Sequence, residues 1–377
     1  MVMSGVLHDP IVKSKMLEIN CNKNDVKNIM NMLKNNKQPG PDKMKSELYR
    51  AVGKSNECIR ILTSAFNILS KENRVPESWK ESKTVMLPKI KKPTAKDHRP
   101  IALTNVIYKL YMSLVRDKII EHLINNELIN EYQVGFTKGK RIEENIFIFC
   151  IDKSYQNKKP LIVVSIDFRK AFDSIDRKGL IKAMKYYQVH DKVIDNIMEL
   201  YTNDKTEIWR NNKMVGEAVI TNGIRQGCTG SPQLFNLIIN MIIIKITESR
   251  MGYRNKEFYI PVLFYADDVL LISNSTEEAS KMIDLLVNRG KQCGLEINKE
   301  KSNCILFNST ENRNEINDIK HIDKIKYLGV VINNKRQCLN KYKNDKIKLA
   351  KHMENTTYSV IHRSSNKLLI GKIFGNL

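Results

Sequence analysis

Val262-Leu263-Phe264-Tyr265-Ala266-Asp267-Asp268-Val269-Leu270-Leu271-Ile272 is the stretch that decides the fold. Two apolar arms, rich in β-branched and aromatic residues, flank a pair of acids. The pattern reads as a β-hairpin with carboxylates at its turn. One acid at a strand end is commonly a turn residue. Two adjacent acids are harder to explain that way, because neighbouring carboxylates repel and raise each other's pKa unless a cation lies between them. Leu161-Ile162-Val163-Val164-Ser165-Ile166 is a second apolar strand, and Asp167 closes it. If this strand lies beside the hairpin, three carboxylates meet at one sheet edge, although Asp167 and Asp267 are 100 residues apart in the chain. Such hard oxygen donors suit Mg²⁺, which takes one or two carboxylates together with substrate phosphates. A pair of ions about 3.5–4 Å apart supports in-line phosphoryl or nucleotidyl transfer.

Upstream, Val26, Ile29, Met30, Met32 and Leu33 recur at helical spacing over 24–36. Gln38-Pro39-Gly40-Pro41-Asp42 must be a loop. Cys58, Leu62, Phe66 and Leu69 mark a second helix that stops before Pro76. Residues 84–87 read as a short strand ended by Pro88, and 89–100 as a basic, exposed loop or ribbon. From Thr104 a long helix presents Ile107, Leu110, Leu114, Ile119 and Leu123 on one face. Another basic loop, 138–141, enters a helix. Downstream, 206–210 and 214–220 read as strands around an Asn211-Asn212 turn. Ser231 as cap and Pro232 in the first turn open a helix that is apolar nearly all round and so deeply buried. Ser275 with Glu278 forms a capping box for a helix ending near Gly294. Two strands, 304–307 and 327–332, follow. This order predicts an α+β layout with an antiparallel sheet.

The chain has 377 residues, with 63 Lys+Arg against 41 Asp+Glu, a net charge of +22. That excess fits a polyanionic partner, or a soluble surface in a Lys- and Asn-heavy sequence. A hydrophobic share of 42% excludes disorder throughout. Seven Cys, odd in number and without a C-x-x-C pair, argue against a disulfide scaffold and for a reducing compartment. His8 and Asp9 interrupt the only apolar run near the start, so no signal peptide is expected. The longest apolar stretch, 234–246, is broken by Asn236, Asn240 and Lys245 and falls short of the about 20 residues that a bilayer needs. A soluble, intracellular protein without a membrane partner is the expectation.

Val164-Ser165-Ile166-Asp167-Phe168-Arg169-Lys170-Ala171-Phe172-Asp173, Gly223-Ile224-Arg225-Gln226-Gly227-Cys228-Thr229-Gly230-Ser231-Pro232 and Phe264-Tyr265-Ala266-Asp267-Asp268 resemble, in order, three successive palm motifs of reverse transcriptases. The wider pattern is similar to the non-LTR, LINE-like retrotransposon branch. It includes Pro39-Gly40-Pro41-Asp42, Leu87-Pro88-Lys89, His98-Arg99-Pro100-Ile101, Gln133-Val134-Gly135-Phe136, Gly294-Leu295-Glu296-Ile297-Asn298 through Lys301, and Tyr327-Leu328-Gly329. Where relatives often carry Pro-Leu after the Cys, this chain has Thr229-Gly230.

The resemblance implies a right-hand polymerase fold with helix-rich fingers, an antiparallel-sheet palm and an incomplete helical thumb. It divides the chain into an N-terminal helical extension (1–35), fingers and palm (36–335) and a partial thumb (336–377). Asp167 and Asp267 would be the principal ligands of two Mg²⁺ ions, replaceable by Mn²⁺, with Asp268 a more peripheral third acid. Lys89 and Arg99 would grip the incoming triphosphate, and Lys91 or Lys92 could stand in for Lys89. Gln226 and Gly227 would line the nucleotide and template pocket. Lys301 would donate a proton or touch phosphate, the alternative being a solvated surface lysine. Phe172, five residues after Asp167, would press on C2′ of the incoming sugar and exclude ribonucleotides. The loops 89–92 and 138–141 would follow backbone phosphates without reading bases.

The implied partners are an RNA template, a DNA primer and deoxynucleoside triphosphates. The implied location is the nucleus, where chromosomal DNA lies. The short stretch after residue 335 predicts weak duplex binding and low processivity, as in a fragment of a longer polyprotein without its endonuclease or zinc knuckle. A catalytically idle nucleic-acid-binding remnant is the alternative; a group II intron-type maturase and an RNA-templated RNA polymerase rank below it.

Overall fold

Asn22 opens the first helix, α1 (Lys23–Asn31), in a computed structural model that describes residues 16–72, 74–90, 94, 97–128, 132, 150–151, 154–254, 258–311, 313–327 and 330–334. The Asn22 side-chain oxygen accepts from the N–H groups of Asn24 and Asp25, and the Asp25 carboxylate accepts from the N–H of Asn22, so the cap is reciprocal. The helix ends five residues before the expected residue 36, leaving Met32 exposed. After the Pro-Gly loop come a helix absent from the sequence expectation, α2 (Ser46–Val52), then α3 (Asn56–Glu72). Val26, Ile29 and Met30 of α1 share one core with Phe66 of α3 and the long helix described next.

β1 (Glu81–Pro88) and β2 (His98–Leu103) form a hairpin, so the segment expected as a loop or ribbon is a ribbon from His98 onward. α4 (Val106–Asn125) was expected to bury one face. It buries Tyr108, Leu110, Tyr111, Met112, Leu114 and Val115, which lie all round its axis. The physical reason is that α1 and a later helix clasp it from different sides. The expected basic loop at 138–141, Lys91, Lys92, Gln133 to Phe136 and the partial thumb at 336–377 lie outside the described residues.

β3 (Leu161–Ile166) leads through the turn of Asp167 to a short helical turn, Ala171–Ser174, and then to α5 (Arg177–Tyr186) and α6 (Asp191–Glu199). β4 (Lys205–Arg210) and β5 (Lys213–Val219) form the expected hairpin. Its turn residues Asn211 and Asn212 have φ of 50° and 60°. Asparagine tolerates that left-handed pair, which matches the twist of the strands. β4 pairs in parallel with β1, so one four-stranded sheet has the order β2-β1-β4-β5.

α7 (Ser231–Glu248) is buried nearly all round, as its composition predicts. The expected cap is wrong by one residue: Gly230 is the N-cap, no side chain caps the helix, and Ser231 is buried in its first turn. A Cβ on Gly230 would meet Met112 Cε at 2.6 Å and the Met112 carbonyl oxygen at 3.1 Å, so this entry packs closely on α4. No helix among the described residues is long and apolar enough to cross a membrane.

The two-stranded ribbon β6 (Tyr253–Arg254) and β7 (Tyr259–Ile260) precedes the deciding hairpin, β8 (Val262–Tyr265) and β9 (Asp268–Ser273). α8 (Thr276–Lys291) forms half of the expected capping box. Ser275 Oγ accepts from the Glu278 N–H at 3.2 Å. The Glu278 carboxylate instead accepts from the N–H groups of Gly252 (3.0 Å) and Asn274 (3.3 Å), so it ties the preceding loop to the helix. β10 (Asn303–Phe307), β11 (Glu315–Ile316) and β12 (Ile319–His321) complete a sheet of order β11-β12-β10-β3-β9-β8. Its central pairs are antiparallel, while β10 and β12 run parallel. The single strand expected over 327–332 is two paired strands, β13 (Lys324–Tyr327) and β14 (Val330–Asn333).

Both faces of this sheet are covered, which is why its strands read as continuous apolar runs. Ile162, Val164 and Ile166 enter one core, with α5, α7 and α8, while Leu161 and Val163 enter the other. β9 and β10 alternate in the same way.

Gly294 ties this sheet to the segment after Asp167. Its φ is +80°, and a Cβ there would lie 2.6 Å from the Asp176 backbone N and against the Ser174 carbonyl. Gly294→Ala therefore combines backbone strain with overpacking, and about 2–3 kcal/mol of destabilisation is expected. A denaturant midpoint checks this; an unchanged midpoint would show that residues 174–176 give way freely.

Candidate active site

The register of β3 on β9 pairs Ile166 with Val269, and its next step brings Asp167 beside Asp268. Asp268 in turn pairs with Tyr265, leaving Ala266 and Asp267 as the two-residue turn between β8 and β9. Ala266 is buried with φ +58°, an uncommon conformation for a residue with a Cβ. Such strain persists only where the surroundings enforce it. The Asp167 backbone is clasped by a following segment: its N–H donates to Ser302 Oγ (3.1 Å), and its carbonyl accepts from the Asn298 N–H (2.8 Å). Lys301 lies within that clasp and is exposed.

Burial raises the pKa of Asp167; the Asp267 charge adds to the rise, while Lys301 and Lys89 oppose it. Burial also raises that of Asp268, followed by the charges of Asp267 and Asp167. None of the three carboxylates has a hydrogen bond or ion pair with a described residue. The three feel one another's charge, yet among the described residues no three acidic, His or Cys side chains are close enough to hold one ion together. Desolvated, unpaired carboxylates are nevertheless the donor chemistry that a hard divalent cation takes. Their donor chemistry suits such an ion, while their spacing in this structure does not close a site around one.

The β1–β2 hairpin acts on this site through the charge of Lys89 and through the bond of Ala102 to the loop that carries Gln226. Lys89 is exposed just beyond β1, and its charge reaches both Asp167 and Asp173. Arg99 is exposed on β2, opposite Leu87, without an ion pair to a described residue. Gln226 is tied twice: its carbonyl accepts from the Ala102 N–H (2.8 Å) and its side-chain amide donates to Asp173 (3.0 Å).

Gln226 and Gly227 were expected to line one pocket. They line two. Gln226 and Asp173 face a cavity of about 380 Å³ under the β1–β4 sheet. Gly227 opens on a cleft of about 410 Å³ with Lys34, Lys37, Lys109 and Arg116. The cause is the backbone: Gly227 has φ +96° and packs against Ala102 and Ile101 of β2, so the chain reverses between the two residues. Phe172 is half-buried and stacks on Phe235 of α7, with ring centroids 4.7 Å apart and planes at 11°.

Sequence reasoning missed Asp173, Phe235, Asn298 and Ser302 as supports of the site. Asp173 and Asn298 lie inside motifs named above, so their positions were usable signals. Phe235 and Ser302 gave none, because each matters through a partner distant in the chain.

Residues 90–332 match the family described as reverse transcriptase (RNA-dependent DNA polymerase). The chain is 26% identical over 315 residues to the Retrovirus-related Pol polyprotein from type-1 retrotransposable element R2 of Nasonia vitripennis, an alignment that covers 78% of this chain and 29% of that protein. It is 25% identical over 339 residues to the Transposon TX1 uncharacterized 149 kDa protein of Xenopus laevis, covering 85% and 25%. It is 24% identical over 313 residues to the Retrovirus-related Pol polyprotein from type-2 retrotransposable element R2DM of Drosophila melanogaster, covering 78% and 28%. The chain thus spans under a third of the length of these curated relatives. Among solved structures it is similar to telomerase from Candida tropicalis in complex with a TWJ fragment of telomeric RNA, with a TM-score of 0.50 and 12% identity, over 74% of this chain and 48% of that one. That likeness concerns the fold alone, which is the α+β right-hand polymerase fold.

Proposed function

Since the chain belongs to the reverse transcriptase (RNA-dependent DNA polymerase) family, in its non-LTR retrotransposon branch, we propose that it adds deoxynucleotides to a DNA primer on an RNA template, with Asp167, Asp267 and Asp268 as the catalytic acids. One observation carries this reading: the β3–β9 register, which joins three unpaired carboxylates at one sheet end beneath a basic hairpin.

Asp167 and Asp267 would hold two divalent cations, with Asp268 at their margin. Mg²⁺, or Mn²⁺ in its place, supplies the positive charge that lowers the pKa of the primer 3′-hydroxyl and stabilises the departing pyrophosphate. Lys89 and Arg99 hold the triphosphate in line, so that positioning and charge stabilisation do most of the work. Lys301, beside Asp167, gives the pyrophosphate a proton or a phosphate contact. The Phe172 ring, propped by Phe235, excludes a 2′-hydroxyl. Gln226, its amide held by Asp173, lines the nucleotide side, and Gly227 lines the template side. In this reading α1 belongs to an N-terminal extension, residues 36–335 to fingers and palm, and the site of action is nuclear.

Primer extension on an RNA template tests the proposal. DNA synthesis is expected with dNTPs and Mg²⁺, lost on chelation and restored by Mg²⁺ or Mn²⁺. Salt-sensitive RNA binding without any synthesis would leave only the idle remnant.

A further inference from the structure

Asp204 is almost completely buried between two arginines. Arg225, itself 4% exposed, donates to Asp204 Oδ1 from Nε (3.1 Å) and from a terminal nitrogen (2.8 Å). Two more of its N–H groups reach the carbonyls of Trp79 (2.9 Å) and Leu200 (3.1 Å). Arg177 of α5 lies 3.6 Å from Asp204 Oδ2 and donates to the carbonyls of Gly223, Tyr201 and Ile220. Three charged groups are costly to bury; hydrogen bonds hold Asp204 Oδ1 and both guanidinium groups, while Asp204 Oδ2 has only the Arg177 charge opposite it.

The location matters more than the count. Trp79 stands two residues before β1, and Asp204 one residue before β4. Those strands start level, Glu81 beside Lys205, and the Lys205 N–H bonds the Lys80 carbonyl. The Asp204 carbonyl also accepts from the Ile220 N–H, closing the far end of the β4–β5 hairpin. On the other side, Arg225 belongs to the loop that carries Gln226. That loop is bonded to the Asp167-to-Asp176 segment through the Ile224 N–H on the Phe172 carbonyl and the Gly223 N–H on the Ile175 carbonyl. One guanidinium therefore joins the root of the β2-β1-β4-β5 sheet to the segment behind the catalytic acids.

We propose that the Asp204–Arg225–Arg177 cluster is a positioning hub, which sets the pitch of the fingers sheet over the palm acids and thereby the affinity for the incoming dNTP. This rests on the nucleotidyl-transfer reading above. The leverage is geometric. β1 is 8 residues long, about 26 Å at ~3.3 Å per residue. A tilt of about 5° at its root displaces the tip, where Lys89 sits, by about 2 Å. Charge attraction falls with distance, so a displacement of that size weakens the hold of Lys89 on the triphosphate. The acids themselves are held separately, by β3, β9 and Ser302, so the hub acts on the triphosphate grip and not on the acids.

The test uses the full chain, with dNTP varied in primer extension on RNA. Asp204→Asn and Arg225→Lys are expected to raise KM for dNTP about tenfold with kcat within about threefold. Ile59→Ala, a buried change in α3 away from the hub, should lower thermal stability and leave KM unmoved. Hydrogen exchange at the Lys205 and Ile220 amides should quicken in Asp204→Asn. If that variant fails to fold, Arg177→Gln, which loses the longer of the two pairs, must show the same KM–kcat split in smaller measure. Unchanged KM in folded Asp204→Asn and Arg225→Lys, or an equal rise in Ile59→Ala, overturns the hub. A wild-type chain that makes no DNA counts against the proposed function instead; exchange then judges the hub, and unaltered rates at Lys205 and Ile220 overturn it.

Discussion

Asp167→Asn is expected to lower primer extension by at least about a thousandfold, close to 4 kcal/mol of transition-state stabilisation, while the protein melts at a higher temperature. Both effects follow from one property. Asp167 is half-buried and faces Asp267 without a paired cation, and its pKa is raised from 3.8, first by burial. A raised native pKa means that the folded state binds this proton more tightly than the unfolded chain does. Stability is therefore lost as pH rises from about the unfolded value through the raised one, and stays lower above it. Asparagine removes the charge and with it that loss. In a chelating buffer, the melting difference between variant and wild type should widen as pH rises above about 4, level off once Asp167 is ionised in the folded protein, and vanish below the unfolded pKa. Salt-dependent RNA binding should be nearly unchanged, since it rests on Lys and Arg. A variant that melts lower than wild type at pH 7 would refute the electrostatic account, and one that still synthesises DNA would refute the catalytic role.

Phe172→Ala is expected to lower the preference for dNTP over rNTP, as a ratio of kcat/KM, by about a hundredfold, or ~2.7 kcal/mol. The ring is not free to retreat, because Phe235 backs it at 4.7 Å and Phe235 is fully buried. Phe172→Tyr keeps the bulk and should keep the preference. The alanine variant should also lose about 1–3 kcal/mol of stability, through the exposed cavity and the broken ring pair. Selectivity and stability therefore separate the two explanations of this residue. A drop in melting temperature with selectivity intact would make Phe172 ordinary core.

The palm strands were legible before folding because their burial is two-sided. Apart from Ser165, the runs 161–166, 262–266 and 269–272 carry only apolar or aromatic residues, and the acids lie at their ends. Likewise Asn211-Asn212 announces its turn through backbone conformations that few residue pairs tolerate. α4 was half legible. Its spacing gave a helix, yet Tyr108, Tyr111 and Met112 are as buried as the expected face, because neighbours on several sides cover it. Gly294 and Gly230 were visible as residues, but the backbone and side chain pressed against them were not.

Residue chemistry and local periodicity were enough to place acids at strand ends and to pick out those strands and the basic ribbon, since each is encoded within a few neighbouring positions. Packing alone made Asp204 the partner of Arg225, set Phe235 behind Phe172, turned Gln226 and Gly227 into separate cavities, and laid β1 parallel to β4 across more than 100 residues of intervening chain. The reason is physical: a short window of sequence specifies which groups prefer to be buried or charged, whereas which of them meet depends on the free energy of filling one shared interior.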